Sequence, residues 1–249
     1  MSLYQLQDLT LGYAGQPVLQ NLSLTIESGE KVALVGPSGA GKSTLLNHLY
    51  GINPDGAALC PQSDGLVDVL SSYHNIYMGG LHRHGRLASL WNLIKPLQHA
   101  KADVSTLAER LGLSDQLWKS VDRLSGGQRQ RVALGRALYR QQTILFGDEP
   151  VSALDPQQAH DLLKWVLERH QTAVVCMHNP QLTSALFDRV VALKQGQLVY
   201  DGPAQSLTEQ DYQTLYSDSP DTPAPIISTS TSPSGSLPLS CVSPGKPAD

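Results

Sequence analysis

The stretch Gly36-Pro37-Ser38-Gly39-Ala40-Gly41-Lys42-Ser43 has the spacing G-x-x-x-x-G-K-[ST]. It follows the apolar run Val32-Ala33-Leu34-Val35, which reads as a buried strand, and leads into Ser43-Thr44-Leu45-Leu46, which reads as a helix start. Strand, small-residue loop and helix in that order point to an α/β chain built on a mostly parallel sheet, with the loop as a phosphate cradle. A triphosphate needs closely spaced backbone N–H groups, and positions such as Gly36, Gly39, Ala40 and Gly41 leave them unobstructed. Lys42 supplies a compact cation for the β- and γ-phosphates. Ser43 offers a hydroxyl to Mg²⁺, and the helix opening at Ser43 and Thr44 turns its positive end toward the anion. A nucleotide and Mg²⁺ are the expected ligands.

Composition narrows the rest. The 249 residues are 41% hydrophobic, enough for one sizeable core. A formal charge of -4 without a dense Lys/Arg run disfavours nucleic acid as a partner. Cys60, Cys176 and Cys241 are odd in number and far apart, which argues against a disulfide framework and favours a reducing compartment. No apolar run has the ~18 to 20 residues that span a bilayer, and the first residues lack a signal pattern, so a membrane role is expected to pass through a partner.

Along the chain, Leu3, Leu9 and Leu11, and then Leu22, Leu24 and Ile26, mark two half-buried strands. Tyr13, among the turn formers Gly12, Ala14 and Gly15, is placed to stack on a flat base; its plain alternative is a surface turn tyrosine. Beyond the loop helix comes a short strand, Ala57 to Cys60. Gln62 follows it, an amide able both to ligate a cation and to bond a water. From about residue 64 to 122 helical spacing takes over, an inserted helical subdomain. There Leu66, Val67, Val69, Leu70, Tyr73, Ile76, Tyr77 and Met78 are expected to leave an apolar groove for a partner helix, against the alternative that they form the subdomain's own core. Trp91 and Trp118 read as packing anchors, and His82-Arg83-His84 as a solvated basic face.

Leu124-Ser125-Gly126-Gly127-Gln128 reads first as a capping box on the helix running through Leu138. Two glycines at N1 and N2 spoil that economy, unless a second anion approaches the N–H groups there. Ile144 to Gly147 is a buried strand ending in Asp148-Glu149. Consecutive side chains diverge, so one carboxylate is free to hold Mg²⁺ while the other polarises a water. Asp155 is a cap for the next helix, Thr172 to Cys176 a further buried strand, and His178 stands just past its end. A hairpin over 190–200 and a short helix near 206–216 close the fold. Residues 217–249, rich in Ser, Thr and Pro, are expected to be disordered.

Taken together, residues 3 to 216 resemble the ATP-binding subunits of ABC transporters. Tyr13 matches the adenine-stacking loop, Gly36 to Ser43 Walker A, Gln62 the Q-loop and Leu124 to Gln128 the signature. Ile144 to Asp148 match Walker B, Glu149 the catalytic glutamate, Ser152 to Asp155 the D-loop and His178 the switch histidine. The resemblance implies a P-loop NTPase core with an antiparallel β-subdomain and a helical subdomain. It also implies a head-to-tail homodimer in which one chain's Walker A is closed over by the other's Ser125-Gly126-Gly127-Gln128. Glu149 would be the base, His178 would steady the γ-phosphate, and Gln62 would link Mg²⁺ to a transmembrane permease at the cytoplasmic face of the inner membrane, with a solute-binding protein acting indirectly. Lys42 and Gln62 lie closer together than the family usually allows, so the antiparallel sheet is expected to be trimmed; the tail has no counterpart. Gly65 to Ser71, Asn75 to Gly79, Val191 to Leu193 and Tyr200 to Pro203 look like the ATPases of phosphonate importers; another importer, of a polar solute or metal, and a soluble non-transport ABC ATPase are the alternatives.

If Tyr13 stacks on adenine, Tyr13→Ala removes ~1 to 3 kcal/mol of base–aromatic contact and weakens ATP binding by roughly tenfold or more, whereas Tyr13→Phe is nearly silent. Equilibrium titration of the three proteins decides it: equal affinities return Tyr13 to the surface turn.

Overall fold

Parallel strands need crossover connections, and this chain supplies helices for them. A computed structural model describes residues 1–13, 15–62, 65–217 and 227–228. The chain opens with a hairpin, β1 (Ser2–Tyr13) and β2 (Gln16–Glu27), paired antiparallel as a sheet of its own. Leu22, Leu24 and Ile26 are buried while Ser23 is exposed, the alternation expected of a one-faced strand. The two strands run longer than their apolar spacing indicated. Positive φ at Asp8 and Asn21, with register shifts in β1, bends the ribbon over the main sheet.

The main sheet has the order β4-β5-β6-β3-β7-β8-β9 among the described residues. Its strands are β3 (Lys31–Val35), β4 (Ala57–Cys60), β5 (Ile144–Asp148), β6 (Thr172–Cys176), β7 (Arg189–Lys194), β8 (Gln197–Pro203) and β9 (Ile227–Ser228). From β4 to β7 all neighbours are parallel, and β8 turns back antiparallel on β7. The period of two sends alternate residues to opposite faces. Val32 and Leu34 join Tyr4, Leu6, Leu24 and Ile26 of the hairpin and Leu45 and Leu49 of α1 (Lys42–Ile52) in one core. Ala33 and Val35 join the other, under α5 (Gly126–Tyr139) and α6 (Pro156–Glu168).

Between β4 and α5 the chain is helical, with α2 (Ser72–Met78), α3 (Arg86–Ile94) and α4 (Gln98–Arg110). α7 (Pro180–Leu186) follows β6, and α8 (Glu209–Tyr216) ends the fold. The 217–249 tail lies almost wholly outside the described residues; Ile227 and Ser228 pair with Tyr200 and Asp201 at the sheet edge, which composition alone did not indicate.

Two expectations fail in the helical subdomain. Tyr73, Ile76 and Tyr77 are not the wall of a groove; they are buried in the subdomain's own core. The Tyr73 hydroxyl donates to Asn92 Oδ1 at 3.0 Å, and its ring stacks on Tyr77 and, at 4.7 Å, on Trp118. Nor are the tryptophans both anchors: Trp118 is half exposed with one face on Tyr73, and Trp91 points outward. α2, only seven residues long, cannot shield two faces, and packing against α5 took the aromatic one. Tyr73→Glu therefore places a carboxylate in an apolar stack at a cost on the order of 4 kcal/mol or more, most of a domain's net stability. Thermal unfolding should show the isolated variant losing its cooperative transition near ambient temperature; a melting curve like that of the parent would return Tyr73 to the surface.

Candidate functional site

Strand register gathers the site. Cys60 pairs with Gly147, Asp148 with Cys176, and Cys176 with Leu34. Each chain then runs one or two residues further, so Gln62, Asp148 and Glu149, His178 and Gly36 come out side by side at the carboxyl edge of four adjacent strands. That edge, where the sheet's helices begin, is where open α/β sheets bind ligands.

At Gly36 the loop leaves β3 with φ 143°, and a Cβ there would stand 2.1 Å from the Leu193 carbonyl oxygen of β7. No side chain fits so close to a neighbouring strand. α1 begins after Gly41 with no side-chain cap, so its first N–H groups remain available to an anion. Lys42 is buried and its Nζ donates to the carbonyls of Gly36, at 2.8 Å, and Pro37, at 3.0 Å. Burial pulls this ammonium below its ordinary range, against the opposing pull of Cys176, Glu149 and Asp148. A desolvated cation held only by neutral carbonyls is poised for a phosphate, its stronger partner.

Glu149 has φ 52°, a left-handed backbone uncommon outside glycine and asparagine, and two contacts hold it there. Its N–H donates to Cys176 O at 3.3 Å, and its carbonyl accepts from the Gln130 side chain of α5. This turn separates the adjacent carboxylates, as divergence of consecutive side chains requires. Asp148 stays buried in β5, and Glu149 reaches His178, Oε1 to Nε2 at 2.6 Å. Ser43, Gln62 and Asp148 offer hydroxyl, amide and carboxylate oxygens, an all-oxygen set suited to a hard cation such as Mg²⁺. Among the described residues no group of three or more His, Cys, Asp or Glu is placed to hold a metal ion.

Other expected residues lie apart. Ser125 caps α5, its Oγ accepting from Gln128 N–H at 3.3 Å while the Gln128 side chain accepts from Ser125 N–H at 3.0 Å. The capping box thus closes with Gly126 and Gly127 at N1 and N2, and a Cβ on Gly126 would meet nothing within 4 Å. Neither this end of α5 nor Tyr13, 63% exposed at the hairpin tip, makes a hydrogen bond to the phosphate loop among the described residues. Asp155 caps α6 through Gln158 N–H at 3.1 Å, as its position before Pro156 indicated.

Two residues escaped sequence reasoning. Gln130, buried within α5, donates to Ser152 Oγ at 3.0 Å and accepts from Ala153 N–H, in addition to its bond to Glu149. Tyr216, the last residue of α8, accepts from Gly36 N–H at 3.3 Å. Neither carries a motif; a polar residue on the inward stripe of an amphipathic helix was the available sign of Gln130.

A family model described as ABC transporter matches residues 19–152. Among curated relatives, a phosphonates import ATP-binding protein PhnC 1 from Natronomonas pharaonis is 36% identical over 231 residues, covering 84% of this chain and 97% of that protein. The protein of the same name from Nostoc sp. is 30% identical, covering 85% and 91%. A dimeric, post-hydrolysis ATP-binding cassette bound to ADP and Pi superposes with a TM-score of 0.68, at 24% identity over 82% of this chain and 99% of that one. With the phosphate loop, the paired carboxylates and the histidine on one sheet edge, the chain belongs to the ABC transporter family and is an ATPase of that family.

Proposed function

We propose that this ATPase is the energising subunit of an importer for phosphonates or related phosphorus compounds. The observation that carries the catalytic part is the 2.6 Å contact between Glu149 and His178 at the strand edge that also bears the phosphate loop. Residues 1–216 form the ATPase unit, with the helical subdomain at about 64–122. The substrate class comes from the relatives, whose names specify phosphonate import.

In this reading the N–H groups from Ser38 to Thr44 and the Lys42 ammonium hold the phosphates of ATP. Ser43, Gln62 and Asp148 would hold Mg²⁺, which would supply positive charge to offset that of the phosphates. Glu149 Oε takes a proton from the attacking water. His178 Nε2 fixes the rotamer of that carboxylate and steadies the γ-phosphate. Ser125 to Gln128, remote from the phosphate loop of their own chain, close over the ATP of a second copy in a head-to-tail dimer, with Asp155 of the D-loop beside it. Tyr13, exposed at the hairpin tip, stacks on adenine.

Among the described residues no helix is long and apolar enough to cross a membrane, so transport requires a permease, with this chain peripheral on the cytoplasmic face and a solute-binding protein beyond it. The docking surface is α3 rather than the stretch around Tyr73. α3 is inside out: its buried residue is Asn92, while Leu87, Leu90, Trp91, Leu93 and Ile94 face solvent, Leu87 and Ile94 by 85% and 79%. At ~100° per residue these five fall within about 160° of arc, opposite Asn92. Such a stripe on an exposed helix fits an apolar partner helix.

Glu149→Gln keeps the shape of the site but removes the base. ATP binding should persist, hydrolysis should fall by roughly 100-fold or more, and gel filtration with ATP should show a lasting dimer. Hydrolysis at the parental rate would remove Glu149 from the role. Leu90→Ser with Ile94→Ser should leave ATP binding intact and abolish co-purification with the co-expressed permease; retained co-purification would move the docking surface elsewhere.

A further inference from the structure

The C-terminal helix reaches the nucleotide site through one side chain. α8 is fixed at its start by a reciprocal cap between Thr208 and Asp211, and Leu215 and Tyr212 bury its inner face. Its far end is held from the sheet: Lys194, last residue of β7, donates from Nζ to Thr214 O at 3.0 Å and Ser217 O at 3.2 Å, the cation satisfying carbonyls that a helix end leaves unpaired. Next to Lys194 is Leu193, whose carbonyl is the atom that presses against Gly36. The same strand end therefore shapes the mouth of the phosphate loop and anchors the helix whose last residue touches it.

That residue is Tyr216. Its hydroxyl accepts from the N–H of Gly36, which is buried and has no other partner among the described residues. Its ring centre lies 6.2 Å from that of His178, tilted by 52°. One side chain thus contacts the first residue of the loop and flanks the histidine that bonds Glu149. Burial raises the phenol above its ordinary range, the Gly36 N–H opposes this, and the Glu149 carboxylate adds to it, so the net shift favours the neutral hydroxyl.

We propose that Tyr216 is a positioning residue of the ATP site, which fixes the entry turn of the phosphate loop through Gly36 N–H and supports His178 with its ring. The proposal rests on the ATPase reading above. Lys194 acts through Tyr216 by holding the end of α8.

Tyr216→Phe deletes the hydroxyl and retains the ring. Isothermal titration of ATP should give a Kd raised about 3- to 10-fold, for a buried N–H left without its acceptor, with kcat at saturating ATP within about 2-fold of the parent and the melting temperature nearly unchanged. Tyr216→Leu removes the ring as well, and kcat should fall at least about 5-fold below that of Tyr216→Phe. Lys194→Ala should raise Kd in the same direction, and the double variant with Tyr216→Phe should raise it by less than the product of the two, since both loosen one contact. Unchanged Kd in Tyr216→Phe overturns the proposal, as does a lowered melting temperature with unchanged Kd, which is the mark of a packing residue. Independent effects of Lys194 and Tyr216 would also overturn the coupling. Failure of the ATPase reading is separable: the parent protein itself would then not bind ATP.

Discussion

Lateral hydrogen bonding between four parallel strands is the constraint on which the site depends. β4, β5, β6 and β3 are paired so that their last residues lie abreast, and Gln62, Asp148 and Glu149, His178 and Gly36 all fall at a strand end or within two residues of one. A slip of one residue in any pair would turn that strand's side chains to the opposite face and carry its terminal group out of the row. Burial prevents the slip. Every residue of β5 and β6 is buried, so both faces are close-packed, and an altered register would set each side chain against neighbours of the wrong size and shape.

Two backbone distortions then convert a row of strand ends into a site. Gly36 passes against Leu193 with no room for a side chain, and Glu149 turns through a left-handed conformation where a glutamate is disfavoured by ~1 kcal/mol or more. The strained turn at Glu149 persists because both sides of its peptide are bonded, one to β6 and one to Gln130. Strain that the surroundings hold in place is found where chemistry needs a group pointed in a fixed direction, and here it aims the carboxylate at His178 while Asp148 stays inside.

The parts legible in the sequence were those with local causes. The strand–loop–helix turn at residues 36–43, the cap at Asp155 and the capping box at Ser125 depend on residues within a few positions of one another, and spacing reveals them. Apart from β9, the strands of the main sheet were equally visible as short apolar runs between turn formers. What spacing did not reveal was which apolar stretch would find a partner. Leu66 to Met78 and Leu87 to Ile94 are both apolar at helical spacing; α2 is buried because α5 lies against it, whereas α3 has Asn92 facing inward, where it accepts from Tyr73 and from Leu97 N–H. One buried polar residue fixed the rotation of α3, and periodicity cannot express that. Gln130 and Tyr216 were hidden for a related reason, since each acts through a contact distant in sequence.

α5 ties these parts into one mechanical unit. Its N-terminus carries Ser125, Gly126, Gly127 and Gln128, which make no hydrogen bond to residues 36–43 of their own chain among the described residues. One turn further, Gln130 holds the Glu149 carbonyl and the Ala153 N–H, and Arg129 forms an ion pair with Asp68 at 2.7 Å on the helical side. The remainder of the helix packs on α2 and β4. A helix whose backbone bonds are internally satisfied moves as a rod. Gln130 is therefore the side chain that joins the start of α5 to the strained turn of Glu149. The glycines at N1 and N2, which weaken the helix start, sit at the end of that rod, where an open surface has more use than helix propensity.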